Sequence, residues 1–162
     1  MFEGFSTASR QAVFCARWEA GFVGSEIIDS EHLLLGLLRV DPTTLQFIAQ
    51  PLTLISVREA AVRWRVPGEK LPTSMDLPIG ADVKLAFENA ASFADVHRSS
   101  FVRTKHLLLA LMTLTASHAA VILGEADASP TRLEQLLSGI QDHGDQDGAE
   151  FSSKDLEFLM GP

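Results

Sequence analysis

Two stretches of the chain order their polar and apolar positions in nearly the same way, a polar entry followed by an apolar run. Ser30-Glu31-His32 leads into Leu33-Leu34-Leu35-Gly36-Leu37-Leu38, and Thr104-Lys105-His106 leads into Leu107-Leu108-Leu109-Ala110-Leu111-Met112. The offset between them is 74 residues. At that offset Arg10 falls on Lys84, Ala12 on Ala86, Ala16 on Ala90, Ala20 on Ala94 and Ile27-Ile28 on Phe101-Val102. Ordered matches of this kind mark one helical unit present twice.

The pattern predicts the elements of each copy. Ser6 is placed to cap a first helix over residues 7–22, where Ala12, Ala16 and Ala20 recur every fourth residue and permit close helix contact. Ser30 is expected to cap a second helix. Its leucines, with Leu34 matched by Leu108, form a stripe wide enough for the centre of a bundle. Asp41-Pro42 starts a third helix to about Ala49, an acidic cap with proline at the first helical position. Ser56-x-x-Glu59 reads as a capping box opening a fourth helix through Arg65, which Pro67-Gly68 ends. Glu69 to Gly80 has no periodicity. The second copy predicts helices over about 82–97, 104–113 (capped by Thr104), 117–123 and 129–137. No segment sustains a period of two. The expected fold is therefore all-α, with two pseudo-symmetric four-helix repeats and about eight helices packed as one domain. Repeat one covers 1–66, the linker 67–78 and repeat two 79–140.

Composition changes the picture mainly at the C-terminal end. Of 162 residues 46% are hydrophobic, enough for a packed interior, and the net charge is −8. From Gly139 onward six acids face one base, so residues 141–162 read as an acidic, flexible tail. Within it, 151–160 is either a clip onto its own domain or a short motif for a partner groove. No Lys/Arg cluster offers a phosphate-neutralising stripe, which argues against nucleic-acid binding. No apolar run approaches the roughly 18 residues of a membrane span, and no signal peptide is visible. The expectation is a cytoplasmic protein without membrane contact.

Candidate chemistry is sparse. Phosphate-cradle, dinucleotide, metalloprotease and nucleophile-elbow motifs are missing. The five histidines lack metal-ligand spacing, and one cysteine, Cys15, brings no second thiol, so no metal or cofactor is expected. Cys15 reads as a small core residue or, more sharply, as a reactive thiol. His32 and His106 occupy equivalent first-turn positions, suited to holding the helix entry by a hydrogen bond to the neighbouring loop. Nothing assembles a nucleophile and base, so a non-enzymatic protein is expected. Phe14 and Trp18 stand opposite Glu88 and Ser92 at the shifted positions. They either pack on a neighbouring helix or form an exposed anchor for a partner; Trp64 is open to the same two readings.

Phe5-Ser6, Arg10, Glu19-Ala20, Ile28 and the string from Glu31 to Arg39 closely resemble the N-terminal domain of Clp/Hsp100 unfoldases, especially the ClpC and ClpA type. Leu77-Pro78-Ile79, Lys84 and His106-Leu107-Leu108-Leu109 resemble that family's second repeat. The resemblance covers about residues 2–140 and implies a double four-helix repeat that recruits substrates and adaptors, with ATP hydrolysis left to following AAA+ modules. Residues 141–162 do not resemble the start of such a module, so a free-standing domain is expected.

The resemblance also implies phosphoarginine pockets. Each uses a hydroxyl residue at the start of the repeat and the glutamate before the histidine. The first pocket would survive as Ser6 and Glu31; in the second, Gly80 and Lys105 replace the hydroxyl and the carboxylate. The leading expectation is a protein- or peptide-binding module acting as an accessory factor in Clp-dependent proteolysis, with a Clp unfoldase, adaptor or client as partner. The alternatives are a phosphoarginine-type sensor at one pocket and a structural homodimer using Phe14 and Trp18.

Overall fold

The computed structural model describes residues 2–139. Among them are eight α-helices: α1 (Thr7–Phe22), α2 (Ser30–Val40), α3 (Pro42–Ile48), α4 (Leu54–Ala61), α5 (Ala81–Val96), α6 (Thr104–Thr113), α7 (His118–Glu125) and α8 (Pro130–Ser138). The acidic tail, with its segment 151–160, lies outside the described residues. No strand forms among the described residues, and none of their helices alone is long and apolar enough to cross a membrane.

The helices α1–α4 recur as α5–α8, with one adjustment to the spacing. Starts of α1/α5 and α2/α6 are 74 residues apart, whereas those of α3/α7 and α4/α8 are 76 apart. Asp41 alone joins α2 to α3, while a longer loop separates α6 from α7.

Each repeat is built on a helical hairpin. Ala12, Cys15, Ala16 and Ala20 of α1 are fully buried against Leu33, Leu34 and Leu37 of α2. Removing this apolar surface from water is the main favourable term. Gly36 lets the two backbones approach closely: a Cβ there would lie 2.1 Å from the Ala12 carbonyl oxygen. Its counterpart Ala110 is fully buried, so the α5/α6 hairpin accommodates a methyl group.

The repeats then exchange backbone pairing. Two isolated parallel bridges join Phe5 to Val102 and Ile28 to Ile79. The Ser6 N–H donates to the Val102 carbonyl at 3.0 Å, and the Val102 N–H to the Gly4 carbonyl at 2.8 Å. In the symmetric copy the Gly80 N–H donates to Ile28 and the Ile28 N–H to Pro78, both at 2.9 Å. Each bridge thus pairs the entry of one repeat with the loop between the first two helices of the other. Phe2, Phe5 and Phe87 pack together at one of these crossings, with ring centroids 5.2–5.6 Å apart.

Three helix entries differ from the sequence expectation. Asp29, not Ser30, caps α2; its carboxylate accepts the Ser30 N–H at 2.7 Å. Arg103, not Thr104, holds the cap position of α6. Thr53 caps α4, with Ser56 as the reciprocal partner at the third helical position, and the helix ends at Ala61 rather than Arg65. Ser6 caps α1 as expected, accepting the Ser9 N–H at 3.1 Å. The segment between α4 and α5 is non-helical and lies along the end of α1. Gly68 N–H donates to Val23, Leu71 N–H donates to Gly21, and the Arg17 guanidinium reaches the carbonyls of Pro72, Thr73 and Met75. Gly24, with φ +77°, makes the turn beneath it and leaves no space for a Cβ beside the Glu69 carbonyl.

Candidate functional site

The pseudo-symmetry creates two junctions where a helix entry of one repeat meets the other repeat. In the first, the start of α2 faces the start of α7. Ser30 Oγ accepts the Ala119 N–H at 3.1 Å, and His118 Nδ1 lies 2.9 Å from Glu31 Oε2 and 3.7 Å from Asp29 Oδ2. Trp64 stacks on the His118 ring with centroids 4.3 Å apart and planes 8° from parallel. In the second junction the start of α6 faces the start of α3. Thr104 Oγ1 donates to Asp41 Oδ2 at 2.9 Å, and Lys105 Nζ lies 3.5 Å from the same oxygen. Lys105 stands where repeat one has Glu31, and an acid, Asp41, faces it. The two junctions have opposite polarity.

The histidines hold the helix entries. His32 Nδ1 accepts the Asp29 N–H and His106 Nδ1 accepts the Arg103 N–H, both at 2.9 Å. This reciprocal bond closes a capping box with histidine at the third helical position. Burial drives the His32 pKa down to about 4, and the Arg65 guanidinium adds to the effect, so the ring is neutral. Burial pushes the Glu31 carboxyl up, partly offset by hydrogen bonding at its backbone and with His118. Leu34 and Leu108 lie in the core.

The Ser6–Glu31 pocket is not formed. Ser6 opens α1 and Glu31 opens α2, and the antiparallel packing puts these entries at opposite ends of a helix about 24 Å long. Ser6 belongs to the crossing at Val102, while Glu31 is fully buried beside His118. A local sequence pattern pairs a cap with a glutamate of its own repeat; the exchanged bridges bring each to the other repeat instead.

The aromatic residues of α1 behave differently from one another. Phe14 is 49% exposed. Trp18 is half-buried and stacks on Phe22 at 4.9 Å, with Arg39 at 5.2 Å and Lys70 at 5.9 Å from its ring centroid. Arg58 lies 5.8 Å from the Phe22 ring, which is 40% exposed. The result is an aromatic strip along α1, flanked by Arg58 and Lys70, with Arg39 buried beside Trp18. Beneath it, the buried Glu19 carboxylate accepts from Arg39 Nε at 2.9 Å and from Arg58 at 3.0 and 2.7 Å. These bonds fix both guanidinium groups beside the rings. Sequence reasoning found Phe14 and Trp18 but missed Phe22, Arg39, Arg58 and the buried Glu19; the i, i+4 step from Trp18 to Phe22 was the available signal.

Comparison with known proteins agrees with this architecture. The model of the Clp repeat (R) N-terminal domain matches residues 79–157. The chloroplastic chaperone protein ClpD1 of Oryza sativa subsp. japonica is 30% identical over 144 residues, 84% of this chain and 15% of the relative. A probable ATP-dependent Clp protease ATP-binding subunit of Chlamydia pneumoniae is 26% identical over 139 residues, 85% of this chain and 16% of the relative. The chain thus spans about a sixth of these curated relatives. Among solved structures, the N-terminal domain of ClpD from Arabidopsis thaliana superposes with a TM-score of 0.70 at 24% identity, covering 85% of this chain and 96% of that one. The Hsp104 N-terminal domain from Candida albicans gives 0.65 at 16% identity, covering 90% and 95%. With eight helices in two matched sets of four, and relatives by both sequence and fold among Clp chaperones, the chain belongs to the Clp N-terminal repeat-domain family.

Proposed function

We propose that this chain is a protein- or peptide-binding module, a cytoplasmic accessory factor in Clp-dependent proteolysis with no catalytic step of its own. The observation that carries the reading is the α1 strip: Phe14 and Phe22 exposed, Trp18 half-buried over the buried Arg39, and Arg58 and Lys70 at the rings. Aromatic and arginine side chains dominate interface energetics. Their combination suits a segment that presents apolar side chains interspersed with carboxylates. Two relatives carry the names of a chaperone and of the ATP-binding subunit of a Clp protease, which is the setting in which such a module would work.

The test is a titration, followed by fluorescence anisotropy, with a purified Clp-type ATPase and with a permanently unfolded, carboxyl-rich client. At least one is expected to bind saturably, more weakly at high salt, and with roughly tenfold or greater loss in Trp18→Ala. No saturable binding to either, or binding indifferent to Trp18→Ala and Phe14→Ser together, would overturn the reading. Concentration-dependent dimers in ultracentrifugation that both substitutions abolish would assign the strip to self-association instead.

A further inference from the structure

The first junction has a property that peptide binding does not require. Asp29, Glu31 and His118 each offer one ligand atom, and these atoms lie within 4.8 Å of one another. The geometry points to a site for one divalent transition-metal ion of the zinc class, clamped between the repeats by Asp29 and Glu31 of one and His118 of the other.

Three features support it. First, the donors are held before any ion arrives. Asp29 is fixed by capping α2 through Oδ1, which leaves Oδ2 toward His118. The His118 ring is held flat against Trp64, and Glu31 has no exposed surface. Second, the Glu31 carboxylate is incompletely satisfied: Oε1 is buried with no hydrogen-bond partner among the described residues, while Oε2 meets His118. Leaving a buried acceptor unmatched is costly, and a cation bridging the carboxylate would satisfy it. Third, the spacings from His118 to the two carboxylates are close to what coordination needs. Bonds of about 2.0 Å at tetrahedral angles put ligand atoms about 3.3 Å apart; His118 Nδ1 is already 2.9 and 3.7 Å from the two carboxylates. An ion would replace the proton on Nδ1. One imidazole with two carboxylates fits zinc better than calcium or magnesium, which take oxygen ligands. Asp29 and His118 are 19% and 28% exposed, so a water can complete the shell from that side.

Positive charge opposes the ion. Arg65 Nη2 is 3.6 Å from Asp29 Oδ2, and two helix entries point at the junction. That competition supplies a discriminating variant. The purified full chain, free of any affinity tag, is titrated with zinc chloride by calorimetry and by tryptophan emission. Trp64 reports on His118, and Trp18, the other tryptophan, is removed in a Trp18→Phe background. One equivalent is expected to bind, change the Trp64 emission and raise the melting temperature. Glu31→Gln, close in size, and His118→Ala are each expected to weaken binding at least tenfold; Arg65→Gln is expected to tighten it. Circular dichroism verifies that each variant is folded, and Asp29→Asn, which keeps a capping oxygen, is the replacement should His118→Ala fail that check. No binding, or equal affinity in the wild type, Glu31→Gln and whichever of His118→Ala and Asp29→Asn is folded, would overturn the site and leave an adventitious ion only.

Discussion

Cys15 is enclosed between α1 and α2 with no exposed surface, and burial pushes its thiol up to about 11. The thiolate is the reactive form, so the core reading of this residue stands. Alkylation of the native protein at neutral pH is expected to proceed only as fast as the hairpin opens, with labelling rates rising alongside urea-induced unfolding. Prompt stoichiometric labelling of the folded chain would contradict this. His32 makes an opposite kind of prediction, about protons rather than electrophiles. Its folded pKa, about 4, lies below the ordinary value of 6.5. The unfolded chain therefore takes up the proton first as pH falls. The contribution is fully present above about pH 6.5 and is lost progressively toward pH 4, on the order of 3 kcal/mol in all. Glu31, whose carboxyl is raised by burial, acts in the other direction: its contribution is present at low pH and is lost as pH rises through the folded value. The urea midpoint of the wild type, taken relative to that of His32→Gln, should fall on acidification across this range, because Glu31 is common to both chains. The variant starts less stable near pH 7, and the gap should close toward pH 4.

At the scale of elements, the two helical hairpins form a natural pair for comparison. Gly36 has a backbone carbonyl where a methyl would go, whereas Ala110 already carries one. Gly36→Ala is expected to cost about 1–3 kcal/mol through overpacking, despite alanine's better helix propensity. The measurement is the urea midpoint; an unchanged or raised midpoint would mean that α1 and α2 separate at little cost. The helix spans themselves were legible, because the leucine and alanine periodicities set them locally. The caps were legible only in part. Asp29 and Ser30 are both competent capping residues, and tertiary contact decides between them: the Ser30 hydroxyl is drawn to the Ala119 amide, which leaves Asp29 for the helix end. Thr104 is taken from its own helix in the same way, by Asp41. The junction around Glu31 was not legible, since His118 is 87 residues away and no periodicity links them. The offset could explain Lys105 only once Asp41 was known to face it.

Taken whole, the molecule is held together less by its linker than by what the repeats lend each other. The bridges at Phe5–Val102 and Ile28–Ile79 are related by the same offset that relates the helices. Neither repeat can satisfy its own entry segment or its own first interhelical loop. A chain severed near exposed Ser74, between α4 and α5, would consequently leave both halves with unmatched backbone groups and half of a shared interior. Made separately, the halves are expected to be poorly helical. On mixing they should reassemble into a one-to-one complex, with helical circular dichroism and a cooperative melt restored. A half that melts cooperatively by itself would show that the mutual lending is dispensable. Where reassembly succeeds, the covalent link between the repeats serves as a tether that sets their local concentration, and the domain becomes a split reporter whose two pieces signal when other proteins bring them together.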